Sequence, residues 1–339
     1  MKKLTAILIL CFLLCGCGLP SETVPPTSGD DTLTVHYIDV GQADCALLEC
    51  GGEFMLIDGG NVADSSLVVS YLEKQGVETL RAVVCSHAHE DHVGGLPGVL
   101  AVYPAEAVYA PTRTYSSDCF DDFVYYADQQ DLTIQIPSPG DRFPLGDAAV
   151  TVLGPVKSYA ETNDTSLVLL VQFGQTRFLF TGDMEITAET DLLDAGTDVR
   201  ADVLKVGHHG SNTSTGYRFL YEADPTYAVI SVGEGNSYGH PHEEPMSRLK
   251  DAGVMIYRTD RLGTITAVSD GTGVTFTWET GAQPEVPSTE NISYIGNVNS
   301  LKFHLSTCSG LPAEKNRITF SSYEEAVSAG YSPCSRCLP

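Results

Sequence analysis

A run of six residues, His87-Ala88-His89-Glu90-Asp91-His92, constrains this chain more than any other feature. Three imidazoles and the Asp91 carboxylate so close together form the donor set that a pair of divalent cations needs, and a solvated turn has no reason to collect them. The preceding Ala82-Val83-Val84-Cys85 reads as a buried strand, which places His87, His89 and His92 on the loop at its carboxyl end, while Leu96 to Val102 reads as helix. Open α/β sheets bind their ligands at that edge. Gly94 and Gly95, which follow after Val93, suit a backbone packed too closely under a metal site for any Cβ. A turn that merely faces water is an adequate account of a lone HxH, but not of HxHxDH followed by two glycines. The pattern points to metal-dependent hydrolysis.

The rest of the chain alternates. Thr32 to Val40, Ala46 to Cys50 and Glu53 to Ile57 read as strands joined by glycine turns, and Ser65 to Gln75 as the first helix. Further helices are expected at Leu96 to Val102, Asp118 to Ala127, Glu185 to Leu193, Gly216 to Glu222 and Pro245 to Ala252. Strands are expected at Val150 to Leu153, Ser166 to Phe173, Arg177 to Thr181, Asp202 to Val206, Tyr227 to Val232, Val254 to Tyr257, Gly263 to Val268 and Gly273 to Trp278. With 339 residues and 42% hydrophobic content the chain is long enough for about two domains.

Its net charge is −25, and the first sixteen residues hold two lysines and no acids, so the remainder is more acidic still. That balance is unusual for a protein that grips nucleic acid through Lys and Arg, and a polyanionic substrate would have to be attracted locally. Lys2-Lys3 followed by the apolar Leu4 to Leu14 and then Leu14-Cys15-Gly16-Cys17 resembles a bacterial lipoprotein signal, with an ordinary secretory peptide as the alternative. On that reading residues 1–16 are removed, Cys17 carries the lipid, residues 17–31 with their prolines form a flexible tether, and the protein is extracytoplasmic and anchored to the bacterial membrane. Cys45, Cys50, Cys85 and Cys119 are left unassigned by sequence, Cys85 reading as a small buried apolar residue.

HAHEDH with GG resembles the metallo-β-lactamase superfamily signature, and four further stretches resemble the extracytoplasmic hydrolase domain of the ComEC competence family: HYIDVGQADCALLE around Val40, LIDGG ending at Gly60, DVLKVGHHGSNTS from Asp202 and NSYGHPH from Asn236. The resemblance covers residues 32–280 with the motifs in order. It implies an α/β (α+β) fold, the four-layer αβ/βα sandwich, with a site between two sheets that holds two divalent metals, zinc or manganese. His87 and His89 would hold one cation, Asp91, His92 and His209 the other, and Asp183 in Thr181-Gly182-Asp183 would bridge. Of His208 and His209, neighbours on what reads as an extended chain, only one is expected to ligate, and His209 is favoured. No histidine lies between His92 and His208, where many superfamily members carry one; Asn163-Asp164-Thr165-Ser166 occupies the matching region, so the first cation is short of a strong protein ligand.

Asp91, His240 and His208 are the candidate catalytic groups, His240 as a proton donor or phosphate ligand. Asn163, Ser211 and Asn212 are candidate hydrogen-bond partners of substrate oxygens. Asp44, Asp58 and Lys205 would orient ligands from behind. Two cations about 3.5–4 Å apart lower the pKa of a shared water and stabilise both the entering and leaving oxygens of a phosphodiester displacement, so the expected chemistry is attack by metal-bound hydroxide.

Residues 281–290, rich in Pro, Glu and Ser, read as a linker to a second unit, residues 291–339. There His304, Cys308, Cys334 and Cys337 have the spacing of a closed structural zinc site, with a Cys334–Cys337 disulfide as the alternative. FHLSTC, NRITF, SSYEEAVSAGY and SPCSRC resemble the metal-binding domain of the Ada DNA-repair family. In that family a methyl-accepting cysteine stands at the position matching His304, and imidazole cannot replace a thiolate there, so repair chemistry is not expected.

The expected function is a lipid-anchored phosphodiesterase or nuclease acting on DNA outside the cell, with DNA-uptake machinery as a partner. Two rivals stand beside it: hydrolysis of cell-envelope phosphoesters such as phosphocholine esters, and a non-catalytic lipoprotein that binds metal or nucleic acid.

Overall fold

Strands Leu33–Tyr37, Ala46–Cys50 and Glu53–Ile57, the last two joined by a tight Gly51-Gly52 turn, open the fold as an antiparallel meander. The computed structural model describes residues 32–286, 293–306, 308–334 and 337–338. The signal segment, Cys17 and the tether expected above lie outside them. Ala82–Val84 and Val108–Tyr109 extend the meander in parallel, and Ile265–Ser269 and Val274–Trp278 return late in the chain to close its other side. The result is one seven-stranded sheet.

A second seven-stranded sheet runs in the order Met255–Arg258, Tyr227–Ile230, Val203–Lys205, Thr176–Phe180, Val168–Phe173, Ala148–Gly154, Arg142–Leu145. Its first four strands are mutually parallel. The two sheets face one another across a dry core in which Val35, Leu48 and Met55 meet Leu169, Val171 and Phe178, and the Tyr37 ring stacks on Phe180 at 5.9 Å. Helices Ser65–Lys74, Leu96–Val102 and Asp118–Asp128 cover the outside of the first sheet, burying Val68, Leu72, Val99, Phe120 and Phe123. Ile186–Asp194, Tyr217–Ala223 and Glu243–Asp251 cover the second with Ala188, Leu192, Phe219 and Leu249. This is the four-layer αβ/βα arrangement.

Some expectations need correction. Arg142–Leu145 is a strand that the periodicity does not reveal, because its edge position tolerates Pro144 and leaves most of its residues in contact with water. The linker begins later than residue 281. Glu285 still bridges to Ile256 and forms ion pairs with Lys250, Arg258 and Arg261, so the first body extends to that point. Among the described residues no cysteine is in a disulfide, and Cys45, Cys50 and Cys85 are buried.

The tail forms a four-stranded sheet in the order Arg317–Phe320, Tyr294–Asn297, Lys302–Leu305, Ser332–Pro333, crossed by the helix Tyr323–Ser328. Its small core contains Tyr294, Phe303, Phe320, Ala326 and Leu338, and it includes one residue of the hydrolase body, Tyr217. The Tyr217 and Tyr323 rings lie parallel at 6.1 Å, and Tyr221 approaches Tyr323 at 5.0 Å.

One buried histidine away from any candidate site gives this fold an acid limit. His36 on the first strand has its Nδ1 beside Tyr71 Oη at 3.0 Å and Thr266 Oγ1 at 3.2 Å, and burial lowers its pKa to about 4. The folded chain therefore keeps His36 neutral where the unfolded chain is protonated, and its contribution is lost as the pH falls from about 6.5 towards 4. His36→Gln is expected to reduce the acid sensitivity of the urea midpoint between pH 7 and pH 4.5, by up to about 3 kcal/mol.

Candidate metal centre

The centre is built where the strand Ala82–Val84 ends. His87 and His89 lie in the turn that follows, while His92 lies in the short helix Glu90–Val93 rather than on the loop. Gly94 and Gly95 bring this helix against the Gly59–Gly60 turn. A Cβ on Gly95 would collide with the Gly59 carbonyl oxygen, and one on Gly59 would lie 2.6 Å from Leu96 N. The two glycine pairs thus let two backbone turns touch. Asp58, at the end of Glu53–Ile57, adopts a left-handed conformation with φ 60° that turns its carboxylate under the histidines.

Each ligand is held from behind. Asp58 Oδ2 accepts from His92 Nδ1 at 2.9 Å while its Oδ1 accepts the Ser86 amide at 2.7 Å. His209 Nδ1 faces the Ser231 carbonyl at 3.0 Å and Asp44 Oδ1 at 3.2 Å. Asp44 in turn pairs with buried Lys205 at 2.8 Å, and Lys205 also donates to the Val206 carbonyl. Since the Nδ1 atoms of His92 and His209 face acceptors, their Nε2 atoms are left as lone-pair donors.

The Nε2 atoms meet carboxylates. His92 Nε2 lies 3.2 Å from Asp183 Oδ1, and His209 Nε2 lies 3.3 Å from Asp91 Oδ2 and 3.8 Å from Asp183 Oδ2. Asp91, His92, Asp183 and His209 together offer four ligand atoms within 4.8 Å of one another. His92 Nε2, His209 Nε2 and Asp183 Oδ1 are buried without a hydrogen-bond partner. Buried polar atoms are seldom left so, and a divalent cation satisfies all three at once. His87 adjoins this group with Nε2 3.9 Å from Asp183 Oδ2 and 3.0 Å from His89 Nδ1, so Asp183 stands between the two halves.

His208 and His209 are not on extended chain. Both take left-handed conformations, φ 50° and 52°, in the tight turn Gly207–Gly210. Periodicity does not reveal this, because a left-handed non-glycine residue is uncommon even for histidine, one of the residue types that adopt it most readily. The turn sends His209 into the buried cluster and leaves His208 at its edge, Nε2 3.6 Å from Asp183 Oδ2 and Nδ1 3.4 Å from Glu185.

Electrostatics matches the geometry. Burial works against the charged forms of Asp44 and Asp183, yet Lys205 and His209 hold Asp44 down, and His92 and His209 hold Asp183 well below the usual carboxylate range. Burial likewise disfavours His209 cation, but Asp183, Asp44 and Asp91 outweigh it and raise its pKa to about 10. His87, more affected by burial and by His92, is pushed the other way.

Above the cluster opens a cavity of about 310 Å³ lined by Gln42, His89, Asp91, Asn163, Asp183, His208, His209, Tyr238 and His240. His240 is therefore at the site, with Nδ1 3.3 Å from the Gln42 amide nitrogen. Burial, then the neighbouring His208 and His209, lowers its pKa to about 4, which favours the neutral imidazole over the cationic phosphate ligand considered above. Ser211 and Asn212 are not in the wall. The Ser211 hydroxyl is engaged with Thr213, and Asn212 points outward with its amide on His242 Nδ1. Asn163 is in the wall, but its amide donor is turned to Glu185 Oε1 at 3.1 Å, away from any substrate oxygen. Gln42 and Tyr238 were not anticipated; their places in the GQAD and NSYGHPH motifs were the available signal.

Residues 38–234 match the family described as the Metallo-beta-lactamase superfamily. The chain belongs to the metallo-β-lactamase superfamily. Its metal-dependent hydrolase body is similar to ComE operon protein 3 of Bacillus subtilis, with 30% identity over 250 residues, 68% of this chain and 32% of that protein. Recombination protein 2 of Haemophilus influenzae is 32% identical over 252 residues, 72% of this chain and 29% of that protein. Competence protein ComA of Neisseria gonorrhoeae is 30% identical over 250 residues, 72% and 33% respectively. The chain thus spans about a third of the length of these relatives, and they share the ComEC-like character of the superfamily hydrolase.

A second group of ligands stands apart from the superfamily centre. His304, Cys308, Cys334 and Cys337 bring four ligand atoms within 4.8 Å of one another in the tail, a donor set suited to tetrahedral zinc. Two outcomes follow. Asp58→Ala, which removes the support of His92, is expected to weaken metal binding at the main centre about 10–100-fold by calorimetric titration. Cys334→Ala with Cys337→Ala is expected to lower zinc content by one ion per chain in elemental analysis while leaving the main centre loaded.

Proposed function

We propose that this protein is an extracytoplasmic, lipid-anchored phosphodiesterase that acts on DNA. The observation that carries the reading is the cavity wall itself, in which paired histidine and aspartate ligands stand together with His208, His240, Gln42 and Tyr238, in a superfamily hydrolase. Relatives whose names contain the words competence and recombination favour DNA among phosphodiesters. When bound, divalent cations at such a centre neutralise phosphate charge and activate water. This chain's part is to hold them through Asp58, Asp44 and Lys205 at the back, and to place His240, with Gln42 and Tyr238, in the wall against which the substrate would lie. With a net charge of −25 and few cations, the rest of the surface does not attract a polyanion, so binding depends on this pocket.

The same acidity favours a second reading, hydrolysis of small envelope phosphoesters such as phosphocholine esters, which need no extended basic track. The tail, on the proposed Ada-like reading, holds one structural zinc.

The test is a panel of single- and double-stranded DNA, bis-p-nitrophenyl phosphate and p-nitrophenylphosphorylcholine offered to the protein with zinc or manganese. DNA cleavage that is lost in His87→Ala and Asp183→Ala is expected. Cleavage of the choline ester alone would transfer the assignment to the second reading, and DNA cleavage unchanged in both variants would end the proposal. In a bacterial host, Cys17→Ala is expected to move the protein from the membrane fraction to the soluble fraction.

A further inference from the structure

The turn Asn163–Thr165 and the residue after it are bolted to both halves of the centre. Ser166 Oγ accepts the Asp183 amide at 3.0 Å and donates to the Asn163 carbonyl at 2.7 Å, while the Leu167 amide donates to the Ser86 carbonyl at 2.8 Å, one residue before His87. Asn163 is thereby fixed between the bridging carboxylate and the start of the histidine motif, and it lines the cavity beside His89.

Its two terminal atoms are in different situations. Nδ2 donates to Glu185 Oε1 at 3.1 Å, and an ionised carboxylate only accepts, so the orientation of the amide is settled by its partner. Glu185 is itself fixed by the Thr213 hydroxyl and by its own amide on Asp164. Oδ1 is buried and has no hydrogen-bond partner, a state it shares with His92 Nε2, His209 Nε2 and Asp183 Oδ1 in the same centre. An unpartnered acceptor in the cavity wall that also holds His89 and Asp183 repels a phosphate and attracts a cation.

The donor count shows where such a cation belongs. Asp91, His92, Asp183 and His209 make a four-donor set for one ion. The other half has His87, His89 and the shared Asp183, one donor fewer, and no histidine lies between His92 and His208 to make up the number. We propose that Asn163 Oδ1 is the missing ligand of the cation held by His87 and His89. A neutral carbonyl oxygen is a harder and weaker donor than imidazole, so the two halves differ: the His92 and His209 half favours zinc, and the Asn163 half takes a harder, more exchangeable ion such as manganese.

This inference rests on the metal centre of the proposed phosphodiesterase but not on its substrate, so its test contains none. The full-length protein, with the tail zinc retained, is titrated with Mn²⁺ and followed by calorimetry and by electron paramagnetic resonance. Two classes of site are expected in the native chain. Asn163→Ala is expected to weaken the weaker class by about tenfold or more and leave the tighter class and the melting temperature unchanged. Asn163→His is expected to shift the same class towards Zn²⁺ by a similar factor. Unchanged Mn²⁺ binding in Asn163→Ala would overturn the assignment, as would an equal loss from both classes, which would mark Asn163 as structural. A chain that fails to cut DNA yet shows the expected Mn²⁺ behaviour would defeat the proposed substrate and leave this ligand standing.

Discussion

The structure depends on the burial of carboxylates in the seam where its two sheets meet. Asp44, Asp58 and Asp183 are almost without solvent, and a buried carboxylate is costly unless paired and hydrogen-bonded. The compensating partners, a cation in Lys205 and hydrogen-bonding imidazoles in His92 and His209, are carried on strand ends and turns of different sheets. Bringing those elements into register is thus a condition of burying the acids at all. The glycine contacts, the left-handed Asp58 and the doubly left-handed histidine turn are the backbone terms on which that register is met.

Much of this was legible. Ala46–Cys50, Glu53–Ile57 and Leu96–Val102 have the ends that alternation and helical spacing indicate, because each buries a regular apolar face. HAHEDH, Thr181-Gly182-Asp183 and His208-His209 were identifiable because ligand chemistry leaves few residue types to choose from, and the structure brings them together within a few ångströms. What was not legible is conformational or long-range. An edge strand containing Pro144 has no periodicity to read, and the left-handed His208 and His209 are set by the turn around them, not by their own propensity. The direction of the Asn163 amide depends on Glu185, 22 residues away, and no local pattern encodes it.

The tail illustrates the same limit. Its ligand spacing is plain in sequence, but its seat on the hydrolase body is not. Tyr217 starts the helix that follows the histidine turn, and it belongs to the tail's core as well. Just before it, the amides of Thr215 and Gly216 donate to buried Glu189, and Arg248 donates to the carbonyls of Ser214 and Thr215 while lying over the Tyr217 ring. The segment that positions His209 is therefore strapped at its far end by an acid, a guanidinium and the tail together.

That strap bears on how a strongly acidic chain would act on a phosphodiester under the function proposed above. Attraction over distance is unavailable to it, so the centre must supply both binding and charge neutralisation at short range. A centre with two identical, tightly closed zinc sites would leave little coordination free for phosphate. A centre in which one half is completed by a neutral oxygen, and the other is held rigid by Asp58, Asp44 and the strapped histidine turn, keeps one ion fixed and the other open to exchange its ligands. On the proposed assignment of Asn163, asymmetry between the two halves, rather than a basic surface, would be the physical route by which this fold receives an anion.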